Sequence, residues 1–221
     1  MEINNKKTVE RHITSDMPIK PVLALDALFD AIKPISKPFE LLEGENLSIQ
    51  AENPILWFFT EGLLTVIRKS DELHLQSARA KFIYGIAEAF QYRGFLLVRA
   101  EMLSKGYYIS TSEFIKVINH NELWSDVAEV LSYYINMLVY RDQQLVGSNT
   151  YTIIRHKLIE LMTYSESFRL KPNNSAFRYI QQRTNISRSN IFKILSELNK
   201  GSYILIEHGQ LMKVYNLPSS Y

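Results

Sequence analysis

The strongest constraint on the fold of this chain is a change in its hydrophobic pattern near Ser110. Between about Phe39 and Ser110, short segments rich in aromatic and β-branched residues recur between Gly, Asn, Asp and Pro. Closely spaced segments of this kind are typical of antiparallel strands joined by tight turns. Beyond Ser110 the apolar residues recur every three or four positions, which is the period of amphipathic helices. The pattern therefore predicts an α+β chain in which an antiparallel sandwich or barrel precedes a set of helices.

The breaks between these segments predict four parts. Lys33 precedes Pro34, and proline disfavours helical backbone at the residue before it, so a short helix from Pro21 should end there. Ser110 and Glu113 have the spacing of a capping box and should begin the helix that follows the last strand. The four parts are a polar tail (1–20), a β domain (21–121), a long helix (122–147) and a C-terminal domain (148–221). The predicted strands are Phe39–Leu42, Leu47–Ala51, Ile55–Phe59, Leu63–Arg68, Leu73–Ala78, Phe82–Tyr84, Phe95–Ala100 and Tyr107–Ser110.

The residue types that carry most catalytic chemistry are missing or scattered. Without cysteine the chain can form no disulfide, iron–sulfur cluster or thiolate zinc site. The five histidines lie far apart, and only His74 falls on a predicted strand, so the clustered ligands of a cupin-type metal enzyme are lacking. No Gly-x-Ser-x-Gly elbow, phosphate-binding glycine loop or dinucleotide fingerprint occurs. We therefore predict no catalytic residue, cofactor or metal, and keep the cupin-type enzyme as the alternative that a metal assay would exclude.

Two features bear on the location of the protein. Met1–Met17 is polar and lacks the apolar core of a secretory signal. The longest apolar stretches, such as Ile55–Phe59, are far shorter than a membrane-spanning helix requires. We expect a soluble cytoplasmic protein with no membrane partner.

The long helix, from Glu122 to about Val146, carries a heptad stripe. Its positions follow one another at spacings of four and three, with Arg141 as the single break. At about 1.5 Å per residue the helix is roughly 35 Å long. A helix that only covered a small β domain would not need this length. We predict that the stripe contacts a second copy of the chain, and the alternative is packing on the chain's own β domain. The predicted dimer residues are Val127, Leu131, Tyr134, Leu138 and Leu145.

Charge is divided unevenly along the chain. Residues 1–150 hold 15 basic and 19 acidic side chains, a net charge of −4, whereas residues 151–221 hold 10 basic and 4 acidic, a net charge of +6. A basic C-terminal part behind an acidic body is expected of a nucleic-acid-binding domain.

Residues 175–200 have the pattern of a helix, a turn and a second helix. We expect Ser175–Thr184 to place Arg178, Gln181, Gln182 and Arg183 on its outer face, and Asn185 to adopt a left-handed backbone in the turn. Ser187 is a predicted N-cap, and Gly201 a predicted left-handed cap at the other end. The buried stripe of the second helix is Ile191, Ile194 or Leu195, and Leu198.

The first turns of this second helix carry residue types that read bases. Arg pairs bidentately with guanine and Asn with adenine, and Lys binds guanine or phosphate. Strands predicted at Tyr203–Glu207 and Leu211–Asn216 form a hairpin, or wing, whose Lys213 should touch phosphate. The predicted DNA-binding residues are Arg178, Ser187, Arg188, Ser189, Asn190, Lys193 and Lys213. The alternative is a helical hairpin with an incidentally basic surface, in a ligand-binding or protein-interaction module that binds no DNA.

The order β domain, long helix, winged helix-turn-helix resembles the cyclic-AMP receptor and fumarate-nitrate regulator (CRP/FNR) family across residues 22–217. Ser187–Lys193 is similar to the recognition helix of that family. The resemblance implies a cyclic-nucleotide-binding-like β-roll and a homodimer that docks two helices on a palindromic site in double-stranded DNA, with RNA polymerase as a further partner. Enterobacterial members concerned with oxidative stress are similar at further segments, which implies a role in stress response. Those segments are Arg141–Gly147, Tyr179–Thr184, Lys200–Ile204 and Leu217–Tyr221.

Departures from the family pattern affect both sites. By position Arg188 matches a guanine-reading arginine and Lys193 a second basic residue, but Ser189 stands where a glutamate accepts from cytosine, so a different target is expected. In the β-roll, Ile86 replaces the glutamate that holds ribose, and Gly94-Phe95 replace the Arg-Ser pair that holds phosphate. A buried phosphate without that arginine would be unpaired, so we predict no cyclic-AMP binding and leave the effector unknown.

The aromatic residues of the β domain could line a pocket for an apolar ligand or fill its core, and the second is the commoner arrangement. They are Trp57, Phe58, Phe59, Phe82, Tyr84, Phe90 and Phe95.

Overall fold

The computed structural model describes residues 17–52, 54–91, 93–168 and 175–218. The described chain divides into two compact units, one of Pro18–Val139 and one that begins at Tyr140. The division falls within the long helix, which the sequence analysis treated as a part of its own. Most of the predicted polar tail (1–20) lies outside the described residues.

The first unit combines one amphipathic helix with eight short strands. Helix α1 (Val22–Ile32) is followed by a single 3₁₀ turn at Lys33–Ile35, as the proline at position 34 predicts. The strands are β1 (Lys37–Leu41), β2 (Asn46–Leu47), β3 (Ile55–Glu61), β4 (Leu63–Arg68), β5 (Leu73–Arg79), β6 (Phe82–Tyr84), β7 (Leu96–Ala100) and β8 (Ser104–Ser110). The second predicted strand is shortened to two residues, and the last begins three residues earlier than predicted.

These strands form two antiparallel four-stranded sheets. The first sheet has the order β1-β8-β3-β6 and the second the order β2-β7-β4-β5. In the first sheet Trp57 of β3 lies opposite Tyr108 of β8 on one side and Tyr84 of β6 on the other. The predicted antiparallel β domain is confirmed.

Strand β3 lies at the centre of the unit because both of its faces are covered. Leu56 and Phe58 belong to a core shared with α1, while Phe59 belongs to a core shared with strands of the second sheet. This division follows from the alternation of side chains along a strand. Helices, first sheet and second sheet are therefore three successive layers. Phe58, Phe59, Phe82 and Tyr84 are buried in these cores, whereas Phe90 and Phe95 are exposed.

Helix α2 (Thr111–His120) begins at the predicted cap. The Ser110 hydroxyl oxygen accepts a hydrogen bond from the Glu113 backbone N–H at 3.3 Å and donates its own proton to the Glu113 carboxylate at 2.7 Å. Phe114 and Ile118 are buried beneath it, on the helix-side face of the first sheet.

Helix α3 (Trp124–Leu145) packs its first half against its own β domain. Val127 is 3% exposed and belongs to the helix-side core together with Val130. Tyr134 packs against the same core and is hydrogen-bonded to Ile83. The structure thus modifies the predicted dimer contact, since Val127 and Tyr134 lie within the subunit. Packing on the β domain, the alternative for this helix, is observed at these two positions, and the half-buried Leu131 also packs against the helix-side core.

A different face of α3 is open to solvent. Ile135 is 60% exposed and Leu138 is 50% exposed, and Val139 beside them is also exposed. Exposed apolar side chains are therefore present on the second half of the helix, beyond Tyr134.

The second unit holds three helices and a hairpin. They are α4 (Thr150–Phe168), α5 (Ala176–Arg183), α6 (Arg188–Lys200), β9 (Ile204–Glu207) and β10 (Gln210–Val214). All five contribute to one core, made by Tyr151, Ile154, Leu158, Leu161, Ala176, Tyr179, Ile180, Ile191, Leu195, Leu198, Ile204, Leu211 and Leu217. The fold is α+β, with a β-roll domain, a long helix and a winged helix-turn-helix, as predicted.

Candidate nucleic-acid interface

Each helix of the helix-turn-helix begins at a serine cap. The Ser175 hydroxyl accepts from the Arg178 backbone N–H at 3.2 Å, and the Ser187 hydroxyl accepts from the Asn190 backbone N–H at 3.4 Å. Such caps satisfy N–H groups that have no partner within the helix. The two serine caps therefore define where α5 and α6 begin.

The turn between these helices differs from the prediction. Thr184, which ends α5, has an extended backbone, and its hydroxyl donates to the Ile180 carbonyl oxygen at 2.9 Å. Asn185 was predicted to be left-handed, and this is wrong, because the non-glycine residues with positive φ among those described are Glu72, Glu122, Ser202 and His208. The turn is therefore made by the extended backbone of Thr184 and stabilised by its buried hydroxyl group.

Helix α6 buries one stripe and exposes its first turns. Ile191, Leu195 and Leu198 are buried, so Leu195 rather than Ile194 completes the predicted stripe. Arg188, Ser189, Asn190 and Lys193 are all exposed. The major groove accepts one helix, whose N-terminal residues approach the base edges. The exposed turn therefore offers two cations, an amide and a hydroxyl to such a groove.

The end of α6 is closed by Ser202 and not by the predicted Gly201. Gly201 has a φ of −77°, whereas Ser202 has a φ of 57°. Glycine is still required at position 201, since a Cβ there would lie 2.6 Å from the ring of Tyr203. The Asn199 side-chain oxygen then accepts from the Ile206 backbone N–H at 3.0 Å, which ties the helix to β9.

The wing is a two-residue hairpin docked on α5. His208 and Gly209 have φ values of 50° and 81°, and Glu207 pairs with Gln210, as in a type I′ turn. The Gly209 carbonyl oxygen accepts from the Ala176 backbone N–H at 2.9 Å, so the tip contacts the start of α5.

Lys213 lies on the exposed side of the wing. Its ammonium group is 4.9 Å from the centre of the Tyr215 ring. A cation in this position is held by the ring face and stays open to an anionic partner.

Arg183 was predicted on the outer face of α5, and this is wrong. It is 6% exposed, with its guanidinium 3.8 Å from the centre of the Tyr179 ring and 3.9 Å from the Glu160 carboxylate. Lys157 forms an ion pair with the same carboxylate, and the Tyr179 hydroxyl donates to it at 2.7 Å. We call Lys157, Glu160, Tyr179 and Arg183 the buried polar cluster.

The buried polar cluster fixes α5 on α4. Burial alone would raise the pKa of Glu160, but the charges of Lys157 and Arg183 and the hydrogen bonds from Lys157 and Tyr179 outweigh it and hold that pKa below its ordinary value. The carboxylate is therefore charged at neutral pH, and the first helix of the motif is joined to its support by ionic contacts.

The structure leaves all seven predicted DNA-binding residues exposed. Ser187, Arg188, Ser189, Asn190 and Lys193 lie together at the start of α6, while Arg178 is on α5 and Lys213 on β10. Phe192, which was not among the predicted residues, is also exposed on the same helix. The signal was available, since position 192 falls outside the spacing of the buried stripe 191, 195 and 198.

The position of the β-roll at which the family carries a ribose-binding glutamate is apolar and buried in this chain. Ile86, at the position where a family glutamate holds ribose, is 2% exposed and belongs to the helix-side core. The Tyr84 hydroxyl donates to the Leu96 carbonyl oxygen at 2.9 Å, and the Arg99 guanidinium donates to Asn46 at 2.9 Å. In the part of the chain that the structure describes, no cluster of His, Asp or Glu could hold a metal ion. None of the described helices is both long and apolar enough to cross a bilayer.

Comparison with known proteins gives the same assignment for the C-terminal unit. Residues 150–219 match the family described as winged helix-turn-helix DNA binding. A Salmonella typhimurium protein called inhibitor of hydrogen peroxide resistance is 30% identical over 190 residues, covering 83% of this chain and 88% of that protein. The Escherichia coli K12 protein of the same name is 28% identical over 209 residues, covering 92% of this chain and 98% of its own length.

Solved structures extend the likeness to both units. The c-di-GMP-responsive regulator CLP of Xanthomonas campestris superposes with a TM-score of 0.67 at 11% identity, covering 87% of this chain and 100% of that one. A CRP/FNR-family regulator from Eubacterium rectale gives a TM-score of 0.67 at 14% identity, covering 86% and 90%. The likeness to these structures shows that the chain has the fold of the CRP/FNR regulators. The chain belongs to the family of the inhibitors of hydrogen peroxide resistance, which has the CRP/FNR-like fold with a winged helix-turn-helix DNA-binding domain.

Proposed function

We propose that this protein is a homodimeric, sequence-specific DNA-binding transcription regulator of the cytoplasm. The observation that carries the proposal is the exposed start of α6, where Arg188, Ser189, Asn190 and Lys193 meet solvent while Ile191 and Leu195 are buried. Arginine and asparagine there would read guanine and adenine edges, and Arg178 and Lys213 would contact phosphate. The net charge of +6 in residues 151–221 supports attraction to the DNA backbone.

The exposed face of α3 supports pairing with a second copy. Its residues recur at spacings of four and three, which is a heptad seam, and a contiguous exposed apolar stripe marks an interaction site. Pairing through this seam would relate two α6 helices by a two-fold axis, as a palindromic site requires. The proposed seam keeps Leu131, Leu138 and Leu145 of the predicted residues and leaves out Val127 and Tyr134. Leu131 also packs in part against the helix-side core. The proposed seam consists of Trp124, Ala128, Leu131, Ile135, Leu138 and Leu145.

We further propose that the β-roll does not bind cyclic AMP or cyclic GMP. Ile86 fills the helix-side core where a ribose-binding carboxylate would be required. Gly94 and Phe95 offer no cation to a phosphate, whose burial without a partner would be unfavourable. Calorimetry with both nucleotides, and with cyclic di-GMP because CLP responds to it, should show no heat of binding. Micromolar binding of either mononucleotide would contradict this part of the proposal.

The relatives give the biological direction of the proposal. Both are called inhibitors of hydrogen peroxide resistance. We propose that this protein regulates genes of oxidative-stress tolerance, with RNA polymerase as a further partner. A chain without cysteine has no thiol that peroxide could oxidise to a disulfide, so the effect would be exerted through gene expression.

The test is a binding-site selection from fragmented genomic DNA, followed by fluorescence anisotropy on the selected duplex. Wild-type protein should enrich a roughly palindromic sequence, and Arg188→Ala should bind it at least tenfold more weakly, because one bidentate base contact is lost. Lys200→Ala is the matched control, since it removes an exposed cation from the last turn of the same helix. Failure to enrich any sequence would favour a ligand-binding or protein-interaction module instead.

A further inference from the structure

A stacked aromatic pair, one ring half-buried and the other exposed, joins the two helices of the helix-turn-helix. The rings of Phe177 on α5 and Phe192 on α6 stack with their centres 4.1 Å apart and their planes 14° apart. Phe192 is nevertheless 58% exposed, and the core beneath α6 is already supplied by Ile191, Leu195 and Leu198. Phe177 packs against this core, whereas Phe192 is not required to fill the interior of the domain.

Phe192 lies on the part of α6 that carries the base-reading residues. It is one helical turn after Arg188 and directly before Lys193, both of which are exposed. Residues four apart on a helix are neighbours, and long helical side chains lean toward the N-terminus of the helix. The ring of Phe192 therefore extends over the turn that bears Arg188, on the surface assigned above to the major groove.

The major groove presents one apolar group, the C5-methyl group of thymine, to a side chain of this kind. The other base edges there carry hydrogen-bond donors and acceptors, which a phenyl ring leaves unpaired. We propose that Phe192 contacts a thymine methyl in each half-site and is a specificity-determining residue for DNA binding. The inference rests on the proposed DNA-binding function.

Phe177 acts in this proposal as a positioning residue. A parallel stack restricts the rotation of the Phe192 ring, so that its free face and edge point away from α5. The contact with the methyl group is then made by a ring that is already held in place. Removing Phe177 should weaken the preference for thymine without removing the ring that makes the contact.

The experiment replaces each thymine of the selected duplex by deoxyuridine, which differs only by the missing methyl group. For the wild-type dimer we expect about fourfold weaker binding at one thymine in each half-site, because one buried apolar carbon is lost. Phe192→Ala should bind the thymine and deoxyuridine duplexes equally at that position. Met212→Ala, which removes an exposed apolar side chain from the wing, should retain the fourfold difference.

Two further variants complete the test. Phe177→Leu should reduce the thymine preference to about twofold. Phe192→Asn should abolish it, because a polar side chain makes no apolar contact with the methyl group. An unchanged preference in Phe192→Asn would overturn the proposal even if Phe192→Ala failed to fold.

The possible failures are distinguishable. Suppose that the wild-type protein binds a selected duplex, that Arg188→Ala does not, and that no thymine position depends on its methyl group. This inference is then overturned and the proposed function stands. A methyl-dependent position that persists in Phe192→Ala would also overturn this inference and leave the proposed function standing. If the wild-type protein selects no DNA, the proposed function falls and the inference falls with it.

Discussion

The hydroxyl group of Tyr134 is bonded twice to the backbone of Ile83. It accepts a hydrogen bond from the Ile83 N–H and donates one to the Ile83 carbonyl oxygen, each at 3.0 Å. Helix α3 is thereby fastened to β6, the edge strand of the first sheet. Burial raises the pKa of Tyr134 well above its ordinary value, so the hydroxyl remains neutral and keeps its proton for the carbonyl.

Removing this hydroxyl should destabilise the β-roll domain. Tyr134→Phe leaves the buried Ile83 N–H and carbonyl without their side-chain partner, and we expect the free energy of unfolding to fall by about 1–3 kcal/mol. Urea denaturation followed by tyrosine and tryptophan fluorescence measures the change. Tyr133→Phe, at the adjacent half-buried position, is the control and should lose much less stability.

A charge on the exposed face of α3 should separate the two copies. Leu138→Asp places a carboxylate on the proposed seam, where dimerisation would bury it, so analytical ultracentrifugation should show monomer at micromolar concentration. Circular dichroism should be unchanged, because Leu138 is outside the described cores. Leu23→Asp, on the exposed side of α1, should remain a dimer. A Leu138→Asp protein that sediments as wild type would refute the seam.

The salt dependence of DNA binding should distinguish phosphate contacts from base contacts. Lys213→Ala should weaken binding similarly on all sequences and lower the slope of log affinity against log salt by about 2, since one phosphate contact is lost in each subunit of the proposed dimer. Arg188→Ala should instead relax the choice of base at one position. Anisotropy titrations from low to moderate salt measure both effects, and a slope that does not respond to Lys213→Ala would exclude the wing from the phosphate contacts.

Acid should weaken the winged-helix unit through two groups. Burial, together with the charges of Arg155 and Lys157, lowers the pKa of His156 from 6.5, so the stability that this residue contributes is present above pH 6.5 and is lost as the pH falls below it. The lowered pKa of Glu160 gives a contribution that is present above pH 4.5 and is lost as the pH falls further. Hydrogen–deuterium exchange across α5 from pH 7 to pH 4 should show this loss of protection.

Replacing Glu160 should remove the loss of stability that occurs below pH 4.5. Glu160→Gln leaves Lys157 and Arg183 without their carboxylate and should cost about 2–3 kcal/mol at neutral pH. Its stability should then change little below pH 4.5. Glu207→Gln, at an exposed carboxylate of the wing, is the matched control and should have wild-type stability at neutral pH and below pH 4.5. A wild-type melting temperature for Glu160→Gln would show that the carboxylate of the buried polar cluster contributes nothing to the stability of the unit.

The strands and the short helices could be predicted because local sequence determines them. Leu63–Arg68 and Phe82–Tyr84 were predicted at the observed boundaries, since turn residues lie directly beside them. The heptad of α3 could not be assigned in the same way. Hydrophobic period identifies apolar faces but does not say whether a face meets the same chain or another, and Val127 and Tyr134 meet the same chain.

The candidate interface was predicted better at its surface than beneath it. The residues of the first turns of α6 are exposed as expected, because helical spacing alone separates them from Ile191 and Leu195. Arg183 was assigned to the surface because it is charged, yet its partner Glu160 lies on the preceding helix, and no local pattern links the two. The left-handed positions were also missed, since Ser202 adopts a conformation that Gly201 was expected to supply.

Some side chains of α3 pack on the β-roll, and others are exposed to solvent. Val127 and Tyr134 are committed to the subunit, whereas Ile135 and Leu138 are not. Exchanges at the second pair can therefore alter which partner the helix accepts while the β-roll keeps its architecture. Related regulators within one cell could in this way avoid forming mixed pairs through a few substitutions on a single helix.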